Sequence, residues 1–475
     1  MNQITIAWIA LPFVIGFCAY LIPNLARFFA LFTAVASTAY AFKVFLEQST
    51  TTLGLLDNFG VTLVIDELSG YFILTNALVM LAVVLYCQGS DKSYFFYSQL
   101  IILHGSVNAA FVCADFISLY VALEVISIGS FLLITYPRTE RSIWVGLRYL
   151  FISNTTMLFY LVGAALVYQA NYSFSYAGLV NAPPEAIAFI FLGLLTKGGI
   201  FVSGLWLPLT HSESQTPVSA MLSGAVVKAG VFPLVRFALM MDEIDPYVRL
   251  FGVGTALLGV GFAVLEKDTK RMLAFHTVSQ LGFVLAAPIV GGFYALTHGL
   301  VKSALFLIAG NLPSRNFKEL KYKPPSTAVW IAAALASFSI SGFPLLAGYG
   351  AKILTTKSLL GWQTIGMNVA AVGTAISFAK FIFLPHGGET KVEAGFWRAM
   401  ILLLSGLIMA NVIYYQAYTA ENTIKPLVTI AIGWLAYNVI FKRLAIKLPR
   451  VLEEFDHLIG VMTLMLMSLF WMVMP

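Results

Sequence analysis

The sequence has few charged residues for its length. Asp, Glu, Lys and Arg make up 11% of the 475 residues, whereas hydrophobic residues make up 59%. A water-soluble protein of this size could not cover its surface with so few charges. The polar stretches between the apolar runs are also too short to bury a core of their own. These proportions exclude a large soluble domain and predict an all-α membrane protein that crosses the bilayer many times.

Several motifs that carry chemistry are absent from the sequence. It contains no Gly-x-x-x-x-Gly-Lys-Ser/Thr loop and no Gly-x-Gly-x-x-Gly fingerprint, which argues against ATP hydrolysis and dinucleotide redox chemistry in this chain. Cys18, Cys87 and Cys113 are isolated in or beside apolar runs, a spacing that does not suit a metal cluster or a disulfide framework. We therefore expect no cofactor and no metal site.

The apolar runs have the length of membrane-spanning helices, about 20 residues each. The first run lacks a basic leader and a clear cleavage site, so we predict a retained helix and not a signal peptide. The fold class predicted is a bundle of about 14–16 transmembrane helices. The runs bounded by polar or turn residues lie near 5–23, 26–47, 68–88, 93–112, 114–136, 142–170, 186–208, 214–241, 247–266, 270–290, 291–312, 327–360, 363–385, 398–417, 424–441 and 456–474.

Basic residues alternate between the two sets of connecting loops. One set carries sixteen, and the opposite set, which includes 48–67 and 171–185, has almost none. The net charge of +6 therefore indicates membrane orientation and does not predict a nucleic-acid partner. The positive-inside rule places the basic loops in the cytoplasm, or its organellar equivalent, and both termini outside. The basic loops contain Lys92, Arg138, Arg141, Lys267, Lys270, Arg271, Arg315, Lys318, Lys321, Lys323, Lys391, Arg398, Lys442, Arg443, Lys447 and Arg450.

Titratable residues lie inside several predicted spans. A charged side chain at the bilayer centre costs about 2.5–3.5 kcal/mol on insertion scales, so each needs an explanation. Glu124, Lys197 and Lys228 lie too deep to reach the interface easily, and we interpret them as proton carriers. Burial lowers a lysine pKa and a nearby carboxylate raises it, so a Glu–Lys pair of variable distance acts as a proton switch. The other titratable residues in or near spans are Lys302, His298, Lys352, Lys380, His276, His104, Arg148 and Arg236.

For some of these residues a structural role is the simpler explanation. Arg148, Lys380 and Arg236 lie near helix ends, where a long cationic side chain can pair or extend to the interface. A lone histidine such as His104 is more often a hydrogen-bonded core residue than a proton carrier.

Two predicted spans contain helix-breaking residues at depth. Pro208 runs into Pro217 in one, and Gly342 is followed by Pro344 in the other. Such breaks are tolerated where neighbouring helices or a hydrated cavity satisfy the backbone, and paired breaks indicate a transport site. Packing kinks are the alternative explanation. The pattern predicts two inverted five-helix repeats, 93–241 and 247–385, between N-terminal helices in 1–92 and C-terminal helices in 398–475.

Four segments together resemble the antiporter-like subunits shared by multisubunit Na⁺/H⁺ (Mrp-type) antiporters and the membrane arm of respiratory complex I. The similarity extends over about 93–385. The segments run from Lys197-Gly-Gly-Ile-Phe through His211-Ser-Glu213 and Thr216-Pro-Val-Ser-Ala220 to Lys228-Ala-Gly-Val-Phe, then over Asp268–Phe283, Thr297–Phe306 and Gly342–Lys352.

The resemblance implies a role for each matching residue. Glu124 matches the glutamate that pairs with the seventh-helix lysine, Lys197, and Lys228 matches the next relay residue. Lys352 matches a residue near the exit of the proton path. The resemblance further implies partners: other subunits of a membrane hetero-oligomer, with protons and Na⁺ as the ions. Further matching or supporting positions are His298, Lys302, His211, Arg148, His276 and Lys380.

The resemblance leaves more than one function open. The first hypothesis is a proton-translocating, non-enzymatic subunit of an Mrp-type antiporter, most similar to its D-type component, in a plasma (inner) or internal energy-transducing membrane. The second is a proton-pumping membrane-arm subunit of a complex I, NDH-type or hydrogenase complex. The segment 418–475 predicts two further spans and no long amphipathic helix along the membrane, which favours the first. A self-sufficient secondary transporter is the third, and it predicts activity of this polypeptide alone.

Overall fold

The computed structural model describes residues 2–56, 60–443 and 450–474, so the predicted basic-loop residue Lys447 lies outside the described residues. Most of the described chain is helical, as predicted. The α-helices are α1 (Asn2–Leu21), α2 (Ala26–Glu47), α3 (Glu67–Tyr86), α4 (Tyr94–Ala110), α5 (Phe116–Ile134), α6 (Glu140–Asn171), α7 (Pro184–Gly198), α8 (Leu207–Glu213), α9 (Thr216–Met221), α10 (Lys228–Met240), α11 (Asp245–Leu265), α12 (Thr269–Ala286), α13 (Gly291–Ala309), α14 (Thr327–Ser341), α15 (Ala347–Lys357), α16 (Thr364–Ile382), α17 (Phe396–Ile413), α18 (Ala420–Ala436) and α19 (Phe455–Val473).

Every predicted span contains helix, which confirms the membrane-helix fold class. Thirteen helical segments of the described chain are long and apolar enough to cross a bilayer. Three further predicted spans form helices that are not among these thirteen segments. Helices α4 and α14 are shorter, with 17 and 15 residues, and α12 carries the charged pair Lys270 and Arg271 in its first turn. Three predicted spans are each divided between two helices: α7 with α8, α9 with α10, and α14 with α15.

A β-hairpin lies where the sequence predicts only a loop. Strands β1 (Thr51–Leu56) and β2 (Gly60–Ile65) pair antiparallel, with Thr51 opposite Ile65. The hairpin is fixed by the connection between α4 and α5: the Thr62 amide donates to the Asp115 carboxylate at 2.8 Å, and the Val61 amide to Ser118 Oγ at 3.0 Å. We call this end of the bundle the hairpin face and the opposite end the basic face.

Helices α11 and α12 approach each other through glycines. A Cβ atom added at Gly259 would lie 2.3 Å from the Ser279 amide nitrogen, and one at Gly282 would lie 2.4 Å from that of Ala256. The two backbones are therefore in direct contact, as is typical of small residues between membrane helices. This contact fixes α12, which carries His276, against α11.

The helix breaks occur at glycines with left-handed backbone conformations. Helix α7 ends at Gly198, Gly199 has φ +67°, and a 3₁₀ segment over 201–206 leads into α8. The interruption thus begins at Gly199, and Pro208 lies in the first turn of α8. Helix α14 ends at Ser341, and Gly342 has φ +86°. Glycine adopts this conformation without the steric penalty that a Cβ imposes, so it ends a helix sharply.

The remaining predicted break residues occupy the ends of the interruptions. Pro217 lies in the first turn of α9, and a π-helical turn over 222–226 separates α9 from α10. Pro344 lies in the connection between Gly342 and the start of α15 at Ala347.

The C-terminal helix α19 packs against α7 and against the 3₁₀ segment 201–206. Its approach is fixed by Glu453, which is buried although the sequence places it in a basic loop. The Arg271 guanidinium donates to both carboxylate oxygens of Glu453, at 2.6 and 2.8 Å. An ion pair to α12 at the basic face therefore fixes the start of the last helix, which packs against the broken helix of the first predicted repeat.

Candidate functional site

Four lysines form a line of buried amines through the centre of the bundle. Lys228 and Lys302 have no exposed surface, and Lys197 and Lys352 are 8% exposed. Each amine donates to a backbone carbonyl, and none of the four has a carboxylate within 4.0 Å among the described residues. The accepting carbonyls are those of Leu123 for Lys197, Ser223 and Gly224 for Lys228, Leu273 for Lys302, and Ser341 for Lys352.

The π-helical turn before Lys228 provides its acceptors. The Lys228 amine donates to Gly224 O at 2.5 Å and to Ser223 O at 3.2 Å. A π turn shifts the backbone hydrogen-bond pattern by one residue, which leaves carbonyls available for a side chain. Lys228 can therefore stay fully buried with two hydrogen bonds to backbone carbonyls and without a neighbouring anion.

Contacts between helices connect the lysines in sequence. A Cβ at Gly230, two residues after Lys228, would lie 2.3 Å from the Gly198 amide nitrogen, so α10 touches α7 beside Lys197. A Cβ at Gly299 would lie 3.7 Å from Lys228 Cε, so α10 also touches α13 beside His298. The glycines allow the lysine-bearing segments to approach closely.

His298 and Lys352 line one small cavity of about 10 Å³. Its wall also contains Gln280, Tyr294 and Thr297, and the Tyr294 hydroxyl donates to Gln280 Oε1 at 2.7 Å. A cavity of about this size has room for one water molecule beside polar partners. This cavity lies between α13, which carries His298, and α15, which carries Lys352.

Glu124 and Lys197 are adjacent in the structure but are not in contact as an ion pair. The Lys197 amine donates to the Ser127 hydroxyl and, at 3.0 Å, to the Leu123 carbonyl. Ser127 is in turn 3.1 Å from the Ser153 hydroxyl. Lys197 is thus held by α5 one turn away from the Glu124 carboxylate, and movement of its flexible side chain could bring the two groups together.

The Glu124 side chain lines a cavity of about 760 Å³ between α5, α6 and the start of α19. Arg148, Asn154 and Phe455 lie in the same wall. Buried oxygens of Glu124 and Asn154 have no hydrogen-bond partner within the described part of the chain. The Glu124 carboxylate is therefore a titratable group that lies next to the line of lysines and borders an open cavity.

Three histidines are buried along the line without hydrogen bonds to their ring nitrogens among the described residues: His211, His276 and His298. The His211 ring lies 5.9 Å from that of Phe306, one turn beyond Lys302 on α13. His276 lies on α12 one turn after Leu273, the carbonyl partner of Lys302. Such buried polar atoms are where ordered water is expected in a protein interior.

Arg148 and Lys380 lie at the basic end of the bundle, beside helix termini. The Arg148 guanidinium donates to the backbone carbonyl of Glu453. The Lys380 amine donates to the carbonyls of Ala263 at 3.1 Å and Glu266 at 2.7 Å, at the end of α11. Cations suit these positions because carbonyls at a helix C-terminus are unpaired and carry partial negative charge.

Two polar elements of this site were not predicted from the sequence. Ser127 lies three residues after Glu124 on α5, where one turn of helix places it on the same face. Its signal was a small polar residue at that spacing in an otherwise apolar helix. Tyr294 and its partner Gln280 come from α13 and α12, so their contact has no signature in local sequence.

The described residues contain no group of three or more His, Cys, Asp or Glu that could hold a metal ion. The side chains of the site offer amines, imidazoles, hydroxyls and one carboxylate in an apolar setting. These groups can accept and release protons.

Comparison with known proteins gives relatives over almost the whole chain. It is 26% identical to the D component of the Na(+)/H(+) antiporter of Alkalihalophilus pseudofirmus. The alignment is 487 positions long and covers 90% of this chain and 99% of the relative. It is 30% identical to the N component of NADH-quinone oxidoreductase from Desulforudis audaxviator, over 68% of this chain and 72% of the relative.

Solved structures share the fold. A chain of the membrane-bound sulfane sulfur reductase, an archaeal respiratory membrane complex, superposes with a TM-score of 0.78 at 20% identity, covering 92% of this chain and 99% of its own. A chain of the Mrp complex from Dietzia sp. DQ12-45-1b gives 0.77 at 22% identity, covering 98% of this chain and 59% of its own. Residues 113–377, which hold the four lysines and Glu124, match the NADH:quinone oxidoreductase/Mrp antiporter transmembrane family. This chain is an integral membrane protein that belongs to that family.

Proposed function

We propose that the chain is the proton-translocating subunit of a multisubunit cation/proton antiporter. The observation that carries this proposal is the line of four buried lysines, each bonded to backbone carbonyls, that begins beside a glutamate on an open cavity. The similarity to an antiporter component over 90% of the chain supports it. Na⁺ is the proposed counter-ion, and the other antiporter subunits are the proposed partners.

In this proposal a proton moves between neighbouring amines one step at a time. Glu124 takes up a proton from the cavity, and Lys197 exchanges it when its amine leaves Ser127. Lys228 and then His298 and Lys302 carry the proton across the contacts at Gly230 and Gly299. Lys352 receives it across the small cavity. Because like charges repel in a medium of low dielectric constant, a proton on one amine disfavours one on the next, which drives stepwise transfer.

We further propose the orientation and the symmetry of the chain. The basic face is the cytoplasmic side by the positive-inside rule, and the hairpin face with both termini is the outer side. The five-helix units 93–241 and 247–385 form an inverted pair, supported by one broken helix with a left-handed glycine in each, at Gly199 and Gly342.

A redox-driven pump is the second candidate, and two relatives favour it specifically. One is a component of an NADH-quinone oxidoreductase, and the other belongs to a respiratory membrane complex. Purification from native membranes separates the candidates. Co-purification with small membrane antiporter subunits supports the antiporter, whereas quinone-reactive and iron–sulfur subunits support the pump. Transport by this chain purified alone would contradict both.

Lys228→Met tests the proton line itself. Methionine keeps the length and the apolar part of the side chain but cannot carry a proton, so we expect the initial rate of proton transport to fall about 100-fold. The rate is measured in sealed vesicles that contain the assembled complex. Lys425→Met is the matched control, because Lys425 is exposed and pairs only with Glu421 in the described part of the chain. Transport by Lys228→Met at the wild-type rate would refute the relay.

A further inference from the structure

A second large cavity, of about 820 Å³, opens at the hairpin face. Its walls come from α2, α3, α13 and α17, and it is separate from the cavity that contains Glu124. We call it the hairpin vestibule, defined by Gln48, Glu67, Tyr71, Leu74, Leu296 and Ile413. None of the positions predicted to carry protons lies in its wall.

The mouth of the hairpin vestibule carries carboxylates. Asp66 is neutralised by Arg236, whose second terminal nitrogen donates to Asp66 Oδ1 at 3.0 Å and to Ser69 Oγ at 3.0 Å. Glu67 is exposed at the mouth and has no ion pair in the described part of the chain. A carboxylate at the mouth of a cavity with low-dielectric walls raises the local concentration of small cations and hydronium.

A residue of α3 next to the cavity wall lies close to Lys228. Tyr71 and Leu74 line the cavity, and Thr75, which is fully buried, directly follows Leu74 on α3. A Cβ placed at Gly299 would lie 2.4 Å from Thr75 Cγ2 and 3.7 Å from Lys228 Cε. Thr75 and Lys228 therefore both lie against Gly299, and Thr75 directly follows a residue of the cavity wall.

The Thr75 side chain lies on the side of α3 that faces Gly299. Its hydroxyl donates to the Tyr71 carbonyl at 2.7 Å, which leaves the methyl group directed toward Gly299. Threonine in a helix populates two side-chain rotamers, in both of which the hydroxyl reaches a carbonyl one turn earlier. A change of rotamer moves the hydroxyl around Cβ while it stays within reach of the preceding turn, and a hydroxyl can pass a proton.

The second buried lysine near this end of the bundle, Lys352, is shielded from the hairpin vestibule. The rings of Phe293 and Tyr414 pack 4.3 Å apart and contact Gly350 on α15. These rings lie between the cavity and the helix that carries Lys352. The geometry therefore favours Lys228, near Gly299 and Thr75, over Lys352 as the lysine that this cavity serves.

We infer that the hairpin vestibule is an access route for protons to the middle of the lysine line, with Leu74 and Leu296 as its floor and Thr75 as the connecting hydroxyl. The inference rests on the proposed function and adds to it a second opening, on the hairpin face, at Lys228. Protons then exchange between Lys228 and the hairpin face without passing Lys302 or Lys352.

The connecting hydroxyl is tested with Thr75→Val, which keeps the shape and removes the hydroxyl. We expect the initial rate of proton transport in vesicles with the assembled complex to fall about tenfold, and Thr75→Ser to stay within about twofold of wild type. The matched control is Thr33→Val on α2, because Thr33 is also buried and donates to the carbonyl four residues earlier at 2.7 Å. Equal rates for Thr75→Val and wild type would overturn the inference.

Access is tested with Leu74→Cys in a variant that lacks Cys18, Cys87 and Cys113. A membrane-impermeant, charged thiol reagent added at the hairpin face should label the new thiol and stop transport. The same reagent added at the basic face should do neither. No labelling from the hairpin face, or labelling without an effect on transport, would overturn the inference.

The result for Lys228→Met distinguishes a failure of this inference from a failure of the proposed function. If Lys228→Met is inactive while Thr75→Val is fully active, the relay stands and the route through Thr75 is wrong. If both variants transport at the wild-type rate, the relay itself is wrong.

Discussion

Glu124→Gln and Lys197→Ala should each abolish coupled proton movement in the assembled complex while the complex still assembles. Glutamine has nearly the same shape as glutamate but does not titrate, and alanine removes the amine completely. Removing the charge from a proton carrier typically lowers a rate by about 10²–10⁴-fold. This range is large enough for transport to reach the background leak of the vesicles.

The structure explains why assembly should survive these changes. Glu124 has a buried oxygen without a hydrogen-bond partner in the described ranges, so glutamine removes no contact there. The donors of Lys197 go to Leu123 and Ser127, and the Ser127 hydroxyl keeps its bond to the Leu123 carbonyl at 2.8 Å when the lysine is gone. Glu124→Gln leaves the bonds of Lys197 to Leu123 and Ser127 in place, and Lys197→Ala leaves the Glu124 carboxylate at the wall of an open cavity, so the cost of either change to the fold is limited.

Proton uptake in vesicles and co-purification of the partner subunits are measured side by side for this prediction. Glu140→Gln and Lys321→Ala are matched controls, because both residues are exposed at the basic face. They should transport at the wild-type rate. Full transport by both Glu124→Gln and Lys197→Ala would rule out the switch, whereas loss of co-purifying subunits would point to a structural role.

The helices of this fold could be predicted from sequence because the membrane imposes a local rule. A spanning segment must be apolar over its whole length and must satisfy its backbone internally, so hydropathy alone locates it. The sequence predicted the position of the helix break before α8 less accurately. Pro208 is a strong helix breaker, but its position in the first turn of a helix is one that proline tolerates, and Gly199 ends the helix instead.

The features that sequence reasoning missed depend on contacts between distant segments. The hairpin is held by Asp115 and Ser118, more than fifty residues after its strands. Glu453 is buried because its carboxylate pairs with Arg271 on α12. The basic residues near it in the sequence predict an exposed loop instead. Depth in the bilayer could be derived from the sequence for each lysine, but the carbonyl partner of each could not.

The two cavities give the proposed proton line an opening in each half of the bundle. The cavity at Glu124 extends along α6 past Arg148 to Trp144, near the basic face. The hairpin vestibule opens at the other face and is lined by Leu74 and Leu296. Lys197 and Lys228 lie between the two inner ends. A change in the Lys197 side chain, from Ser127 to Glu124, would therefore control exchange between the two openings.

The Arg271–Glu453 ion pair gives the second large expected effect. Arg271 is 5% exposed and Glu453 8%, and Arg271 also donates to Glu266 Oε2 at 3.2 Å. Burial opposes ionisation of Glu266, but the Asp268 amide, the Arg271 charge and the Lys267 amide outweigh it and hold the pKa of Glu266 below its usual range. This carboxylate therefore stabilises the network at neutral pH, and its contribution is lost only as the pH falls through that lowered pKa.

Arg271→Met should release α19, because it leaves the Glu453 carboxylate buried without its partner. Removing one member of a buried pair costs about 3–5 kcal/mol, which corresponds to roughly 100-fold to several-thousand-fold more opening. Opening is read as the rate of thiol labelling of Leu458→Cys, a fully buried position on α19, in a variant without the native cysteines.

The double variant Arg271→Met/Glu453→Leu should recover most of the protection of α19, since the Glu453 carboxylate is then no longer buried without its partner. Glu421→Gln is the control, because its pair with Lys425 is exposed and such pairs contribute about 0–1 kcal/mol. Labelling of Arg271→Met at the wild-type rate would mean that α19 stays docked by its apolar face alone. Because α19 covers the 3₁₀ segment 201–206 that follows Lys197, its release should also lower proton transport, and recovery of transport in the double variant would tie that loss to docking.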